Sequence, residues 1–234
     1  MISLINTKTE SSWNNKTFIT IDMDWAADKI IIDTIKLIEN VNVSVTWFVT
    51  HKTPVLERMR DNNKFELGIH PNFNFLLNGG SKANEDCEQV IDDILEVVPE
   101  ANSIRCHSMT QSSVLQDLFI SKELKYDCNH FIPEQANIKL KPWRLWNDLI
   151  KVPYFWEDDI SCIYKNNAPI EDLVIRSGLK VFDFHPIHIF LNTENLKRYD
   201  QTRSIHQKPE ELIKHRFSGF GVRDQFIKLL ELSK

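Results

Sequence analysis

Glycine is scarce in this sequence, and its scarcity excludes two kinds of structure. Only 6 of the 234 residues are glycine, so the chain offers neither a glycine-rich loop that would wrap a phosphate group nor a flexible linker between domains. A chain of this length can bury one well-formed α/β core. We therefore predict a single domain spanning residues 1–234.

Excess positive charge and long apolar stretches are also missing. The formal net charge is −5, from 28 basic and 33 acidic side chains, so the chain lacks the electrostatic attraction that nucleic-acid backbones require. No stretch reaches the roughly 18 apolar residues that a transmembrane helix needs. The segment Met1–Glu10 has no basic start followed by an apolar region. It is therefore not a secretory signal, and we expect a cytoplasmic protein.

Cysteine occurs four times, as Cys87, Cys106, Cys128 and Cys162, with no Cys-x-x-Cys pair. Zinc sites built from thiolates usually contain closely spaced cysteines. We therefore expect reduced, mostly buried cysteines without a metal.

Short apolar runs alternate with helical patterns along the whole chain. The runs resemble buried parallel strands, and they are Phe18–Met23, Val43–Val49, Phe65–Ile69, Ser103–Arg105, Leu149–Tyr154 and Leu179–Phe184. Helices are predicted between Ala27 and Ile38, from near Asn84 to Pro99, and over Ile170–Ser177, Glu210–His215 and Val222–Leu232. Repeated βα alternation predicts a parallel sheet, either open or curled into a barrel.

Two carboxylates end the first predicted strand. Asp22 and Asp24 follow a β-branched run, and alternation along an extended chain lets both face one pocket while Met23 faces the core. Neighbouring unneutralised acids are costly unless a cation joins them. We therefore interpret the pair as part of a metal site, in which one acid binds the ion and the other takes a proton. The alternative is that one of them caps the next helix, which Asp28 can do equally well.

Further polar residues follow the later strands. The carboxyl ends of parallel strands form the ligand-binding face of α/β folds, because several loops converge there. His70 follows one such strand, and imidazole with carboxylate suits Zn²⁺ or a similar divalent ion. Asn74 offers a weaker amide oxygen, and His107 is the alternative third ligand. A lone histidine is more often structural, and beside the paired acids His70 is a candidate ligand of the metal site.

His185 and His188 follow the last predicted strand. Histidine titrates near neutral pH, which suits donation of a proton to a leaving amine. His185 is preferred for this role because it follows the strand directly. The acids Glu157, Asp158 and Asp159 are predicted to lie in a solvated loop, with the alternative that one of them orients His185.

Arg105, Trp25 and Trp156 complete the set of candidates. Arg105 either pairs with Asp22 and fixes it, or forms an ordinary surface ion pair. The two tryptophans offer flat apolar faces on which sugar C–H surfaces pack well, although core filling is the commoner use of tryptophan.

Five short motifs, taken in order, resemble the polysaccharide deacetylase superfamily (NodB homology, carbohydrate esterase family four). Within it they are most similar to the WbmS-like proteins of O-antigen gene clusters. The motifs are Thr20–Trp25, Leu67–Asn74, Arg105–Ser108, Pro153–Asp158 and Phe184–Asn192. Each motif is short, but their ordered combination is fairly specific.

The resemblance implies a distorted (β/α) barrel, with residues 1–234 forming one polysaccharide deacetylase-like catalytic domain. It implies a metal-dependent hydrolase of carbohydrate metabolism that removes an N-acyl group, acetyl or formyl, from an amino sugar of a cell-surface polysaccharide or its precursor. The implied roles are general base for Asp22, metal ligands for Asp24 and His70, the arginine that holds the base for Arg105, aromatic wall for Trp156 and general acid for His185.

Three positions depart from the family pattern. Met23 separates the two acids that are usually adjacent, Asn74 replaces the second metal-binding histidine, and Cys106, His107 and Ser108 replace a proline-containing segment. We therefore expect a divalent ion, zinc with cobalt or nickel as alternatives, on Asp24, His70 and either Asn74 or His107. The residues expected to contact the carbohydrate substrate are Trp25, His107, Trp156 and His188.

Two other functions stay open. Asp-x-Asp after a first strand also begins Mg²⁺-dependent phosphatases with an Asp nucleophile, but those usually carry Thr or Val where this chain has Ala26, and no strand-end Lys fits their late lysine. Asn74 in place of a histidine also allows a degenerate barrel that binds carbohydrate without hydrolysing it.

Overall fold

A nine-stranded sheet runs through the described residues, which are 1–79, 86–164 and 167–234 of this computed structural model. The strands are β1 (Thr17–Asp22), β2 (Val45–Val49), β3 (Phe65–Ile69), β4 (Ser103–Ile104), β5 (Tyr126–Asp127), β6 (Trp143–Arg144), β7 (Ile150–Lys151), β8 (Trp156–Glu157) and β9 (Lys180–Phe184). Their order is β6-β7-β5-β4-β3-β2-β1-β9-β8. Every neighbouring pair is parallel except β6 with β7. The curled sheet confirms the predicted α/β fold of the distorted barrel type.

Helices connect many of these strands and continue the chain after β9. They are α1 (Asp28–Glu39), α2 (Val55–Arg60), α3 (Asn74–Leu77), α4 (Cys87–Val97), α5 (Ser113–Ser121), α6 (Asp158–Ser161), α7 (Ile170–Val174), α8 (Pro186–Leu191), α9 (Leu196–Thr202), α10 (Pro209–Leu212) and α11 (Val222–Leu232). None of the helices in the described ranges combines the length and the apolar character needed to cross a membrane.

The three central strands β1, β2 and β3 are rich in β-branched and aromatic residues and are buried along most of their length. Gly68 in β3 allows a close approach between strands. A Cβ atom at this position would lie only 2.5 Å from the Ser103 Oγ atom and 2.9 Å from the Phe48 ring. The missing side chain therefore lets β3 lie between its neighbours.

Helix boundaries follow from apolar stripes and caps. The predicted stripe of α1 is buried, and α11 has the predicted bounds. Asp86 caps α4 by accepting a hydrogen bond from the Gln89 N–H group, whereas the predicted start at Asn84 lies outside the described residues. The helix α7 ends at Val174, earlier than predicted, although Gly178 has the expected left-handed backbone with φ of +96°.

Candidate active site

The predicted polar residues converge at the carboxyl edge of the sheet. Asp22 ends β1, His70 and Arg105 directly follow β3 and β4, and His185 directly follows β9. Since β1 lies between β2 and β9 and all these strands are parallel, their ends open in the same place.

The Asp22 carboxylate lies on a buried arginine. Asp22 is 3% exposed, and its Oδ1 atom accepts a hydrogen bond of 3.0 Å from the Arg105 Nη1 group. The Arg105 guanidinium group lies between the rings of Phe48 and Tyr154, at 4.6 and 4.4 Å from their centroids. Arg105 is therefore not a surface ion pair. It is a fixed cation that positions Asp22.

A second carboxylate, Asp183, pairs with the same Arg105 Nη1 atom. Asp183 is fully buried and also accepts a hydrogen bond of 2.7 Å from the Thr20 Oγ1 group. Burial raises the pKa of Asp183 to about 7, against the opposing effect of the Arg105 charge. Sequence reasoning missed Asp183. The available signal was its position two residues before His185 in a strand, which places both side chains on one face.

The Asp24 carboxylate faces imidazoles instead of an arginine. Its Oδ1 atom lies 3.2 Å from both His70 Nε2 and His107 Nδ1, and its Oδ2 atom lies 3.7 Å from His185 Nε2. Burial alone would raise the pKa of Asp24, but hydrogen bonds with His107 and His70 hold it well below its usual value of 3.8.

The backbone around these residues is strained. Asp24 and Trp25 have φ angles of 42° and 53°, and Ser108 and Met109, next to His107, have φ angles of 58° and 54°. The left-handed region is rarely occupied by residues other than glycine, and such strain clusters at functional sites. The loops that carry Asp24 and His107 therefore have the backbone character of a functional site.

His70 lies between the two acids of the first motif. Its Nε2 atom faces Asp24, and its Nδ1 atom lies 3.4 Å from Asp22 Oδ2, outside hydrogen-bond geometry. Burial alone would lower the pKa of His70, but the charges of Asp22 and Asp24 raise it. His70 therefore presents its Nε2 atom to the Asp24 side of the site.

Three donor atoms are close enough to share one ion. The candidate ligand atoms of Asp24, His70 and His107 all lie within 4.8 Å of one another. Two imidazoles and one carboxylate form a donor set that fits Zn²⁺, Co²⁺ or Ni²⁺ and leaves a coordination position open. Asn74 donates its side-chain Nδ2–H to the Ser108 Oγ atom at 3.0 Å, which supports the loop of His107. Its role as a ligand stays a prediction.

Two further acid–histidine clusters share His185. In the first, Asp22 and Asp183 already have Arg105 as their cation, so a metal ion there would meet a positive charge. The second contains Glu157, whose Oε2 atom accepts a hydrogen bond of 3.2 Å from the Tyr154 hydroxyl. The three-residue cluster around Asp24 is therefore the better candidate metal centre.

Asp158 orients His185 through two contacts. The backbone N–H of His185 donates to Asp158 Oδ2 at 2.8 Å, and the His185 Nδ1 atom lies 2.7 Å from Asp158 Oδ1. Burial alone would lower the pKa of His185, but the Asp158 charge and hydrogen bond raise it well above 6.5. The interpretation of residues 157–159 as a solvated loop is wrong for Asp158, which is fully buried. The alternative, in which one of these acids orients His185, describes the structure.

The remaining candidates differ in exposure. Trp25 is 38% exposed, and its ring meets the His107 ring edge-on at 5.3 Å. Trp156 is 3% exposed and packs on Phe184, with ring centroids 4.7 Å apart. Burial lowers the pKa of His188 to about 3, and its ring stacks on a tyrosine. Trp156 and His188 present no exposed ring, so direct contact of these two residues with a sugar stays a prediction.

The chain is similar to known polysaccharide deacetylases. A family model described as WbmS-like polysaccharide deacetylase matches residues 19–203. A crystal structure from Bordetella bronchiseptica, assigned as a polysaccharide deacetylase (WbmS) involved in O-antigen biosynthesis, is 44% identical with a TM-score of 0.95, over 100% of this chain and 97% of that one. A structure assigned as a polysaccharide deacetylase from Mycobacterium smegmatis is 16% identical with a TM-score of 0.47, over 93% and 90% of the two chains. No curated protein matches the chain.

Proposed function

The chain belongs to the WbmS-like family of polysaccharide deacetylases, and from this premise we propose that it hydrolyses an N-acetyl or N-formyl group on an amino sugar of a cell-surface polysaccharide or its precursor. The relative from Bordetella bronchiseptica is assigned to O-antigen biosynthesis, and we extend that role to this chain. The proposal includes a cytoplasmic enzyme whose residues 1–234 act as one catalytic domain. The observation that carries it is the cluster of Asp24, His70 and His107.

The same cluster is the proposed metal site. Asp24, His70 and His107 would hold the ion, with Asn74 as the alternative to His107, and zinc is our first choice of metal. A divalent ion bound there would polarise the acyl carbonyl of the substrate. It would also lower the pKa of a bound water molecule from 15.7 toward about 7.

Asp22 is the proposed general base. Arg105 binds its Oδ1 atom, so its Oδ2 atom is available to accept the proton of the attacking water. As that proton moves to Asp22, the water oxygen forms a bond to the acyl carbon. Asp183 acts as a positioning residue, because it pairs with Arg105 beside Asp22 and fixes the guanidinium group.

His185 is the proposed general acid. Asp158 binds its Nδ1 side, which leaves the Nε2 side, near Asp24, for the substrate. Against the effect of burial, Asp158 raises the pKa of His185, which favours the protonated ring and suits donation of a proton to the amine nitrogen as the C–N bond breaks. The products are the free amino sugar and the carboxylic acid.

Two observations argue against the alternative functions. A phosphatase would need Asp22 as a nucleophile, whereas Asp22 is buried and bound to Arg105. A barrel that only binds carbohydrate was suggested by Asn74, but His107 offers the nitrogen donor that Asn74 lacks.

The test combines metal analysis with product release. We expect about one divalent ion per chain after purification without chelator, and release of acetate or formate from at least one member of a panel of acylated amino sugars. Metal-loaded protein that releases neither acid would overturn the proposal. Hydrolysis of p-nitrophenyl phosphate without acid release would favour the phosphatase.

A further inference from the structure

A buried lysine contacts the loop that carries His107, which comprises residues 106–111. Lys151, in β7, is 2% exposed, and its Nζ atom donates to Asp127 Oδ2 at 2.7 Å and to Gln111 Oε1 at 3.1 Å. Asp127 ends β5 and is fully buried, whereas Gln111 ends the His107 loop and is exposed. An ammonium group is costly to bury, and these two acceptors offset its lost hydration. Lys151 therefore connects the sheet to one end of the loop.

The same ion pair reaches the other end of the loop through Asn129. Asp127 Oδ1 accepts hydrogen bonds from the Asn129 backbone N–H at 2.9 Å and from its side-chain Nδ2–H at 2.8 Å. Because a carboxylate only accepts hydrogen bonds, the amide turns its nitrogen to Asp127 and its oxygen away. Asn129 Oδ1 then accepts a hydrogen bond from the Cys106 N–H at 2.5 Å. These three residues are at most 1% exposed, so the connection is dry.

The Asn129 side chain takes the place of a neighbouring strand at this point. The N–H groups on either side of Cys106, those of Arg105 and His107, donate to backbone carbonyl groups on the β3 side at 3.1 and 2.9 Å. Successive N–H groups of an extended chain point in opposite directions, so the N–H of Cys106 faces the β5 side. There it meets the Asn129 amide. The start of the His107 loop is therefore held from both sides.

The His107 loop needs this support because its backbone is strained. Ser108 and Met109 have φ angles of 58° and 54°. Residues other than glycine keep such a conformation only where the surrounding structure holds them. The contacts at the two ends of the loop lead back to the same lysine, through Asp127 and Asn129 at the start and directly at the end.

We propose that Lys151 is a positioning residue, which restrains both ends of the His107 loop and so keeps the His107 ring beside Asp24 for metal binding. In this role Lys151 contacts neither the ion nor the substrate and acts through His107. The inference rests on the proposed function, because it assumes that His107 is a metal ligand.

The test uses a variant that leaves no unpaired charge in the core. Lys151→Met alone would strand the Asp127 carboxylate without its cation, which is strongly destabilising. The double variant Asp127→Asn/Lys151→Met removes both charges together. Its matched control is Glu123→Gln/Lys125→Met, which changes an exposed acid and an exposed lysine in the same part of the chain.

The first readout needs no metal. Amide hydrogen exchange, measured by NMR, compares the Cys106 and Met109 N–H groups of the loop with the N–H groups of β1. In the double variant at Lys151 we expect the loop amides to exchange about tenfold faster, as for the loss of a hydrogen bond to a charged group, while β1 keeps its rates. The control should match the wild type. Unchanged loop rates, or the same acceleration in β1, would overturn the proposal.

The second readout is the Kd for Zn²⁺, measured by competition with a chelating dye. The double variant at Lys151 should raise this Kd about tenfold, the lower end of the loss typical for residues that orient a ligand. In a His107→Ala background the same double change should leave the Kd the same, because its effect passes through His107. An unchanged Kd in the first comparison, or an equal rise in both backgrounds, would show that Lys151 does not position His107.

The two readouts separate this inference from the proposed function. Wild-type protein that binds no Zn²⁺ would contradict the proposed metal centre, whereas faster loop exchange in the double variant would still support the hold of Lys151 on the loop. Tight binding of Zn²⁺ with unchanged loop exchange would contradict the role of Lys151 alone.

Discussion

Asp22 and Asp24 are separated by one residue, yet they have different surroundings. The Asp22 side chain is 4% exposed and binds Arg105, a permanent cation. The Asp24 side chain is 23% exposed, sits on a left-handed backbone and faces three imidazoles. The different partners support the proposed roles. An acid fixed by its own cation suits the general base, and an acid close to the ring nitrogens of His70 and His107 is suited to share a metal ion.

The largest expected effect comes from neutralising Asp22 while Asp24 is left unchanged. Asp22→Asn should lower kcat by about 10²–10⁴-fold, because the general base is lost. Metal content should stay the same, because Asp22 is not in the Asp24 cluster. Acid release and metal analysis on one preparation check this, with the exposed Asp61→Asn as control. Loss of the metal in proportion to activity would show that Asp22 is a ligand.

The second change removes the Arg105 cation that pairs with Asp22 and Asp183. Arg105→Met leaves the carboxylates of Asp22 and Asp183 buried without their partner. Breaking a buried ion pair in this way typically costs about 3–5 kcal/mol in the free energy of unfolding. Urea titration measures it, with Arg105→Lys as the variant that keeps a charge and recovers part of the loss. A change in stability below about 1 kcal/mol for the methionine variant would contradict the assigned burial cost.

The third change removes a candidate metal ligand next to Asp24. His107→Ala should raise the Kd for Zn²⁺ by more than about 100-fold, because losing an indirect supporting residue already costs 10–100-fold. Asn74→Ala should cost less, because the Asn74 amide bonds to Ser108 and supports the His107 loop. Competition titration with a chelating dye measures both constants. The reverse ranking would make Asn74 the third ligand.

The fourth and smallest effect concerns His185, the proposed general acid, and the Asp158 carboxylate that orients it. Asp158→Asn removes the charge that raises the pKa of His185, so that pKa falls and the protonated acid is lost at a lower pH. The alkaline limb of the pH–rate profile should shift to lower pH, with kcat about 10–100-fold lower. An unchanged alkaline limb would show that His185 is not the acid that this limb reports.

The sequence predicts most of the central sheet and much of the site, because both depend on local patterns. The run Phe65–Ile69 has the bounds of β3, and His70, Arg105 and His185 follow strands as expected. The two-residue strands β5, β6 and β8 were not predicted, because pairing with distant neighbours defines them and a hydrophobic period does not.

Asp158 and Asp183 show what a linear pattern misses. Asp158 belongs to an acidic triplet that resembles solvated loop, and only His185, 27 residues later, explains why it is buried. Asp183 lies in an aromatic strand, where its partner Arg105 is 78 residues away along the chain. The spacing to His185 indicates which face Asp183 is on, but no periodic signal identifies an ion-pair partner this far along the chain.

The most direct test is a crystal structure of the protein with Zn²⁺, using anomalous diffraction at the zinc edge. We predict one strong peak at about 2.0–2.2 Å from Asp24 Oδ1, His70 Nε2 and a ring nitrogen of His107, which are ordinary zinc–ligand distances. A peak on Asp22 and Asp183, or no peak at this edge of the sheet, would contradict the assignment of the Asp24 cluster as the metal centre.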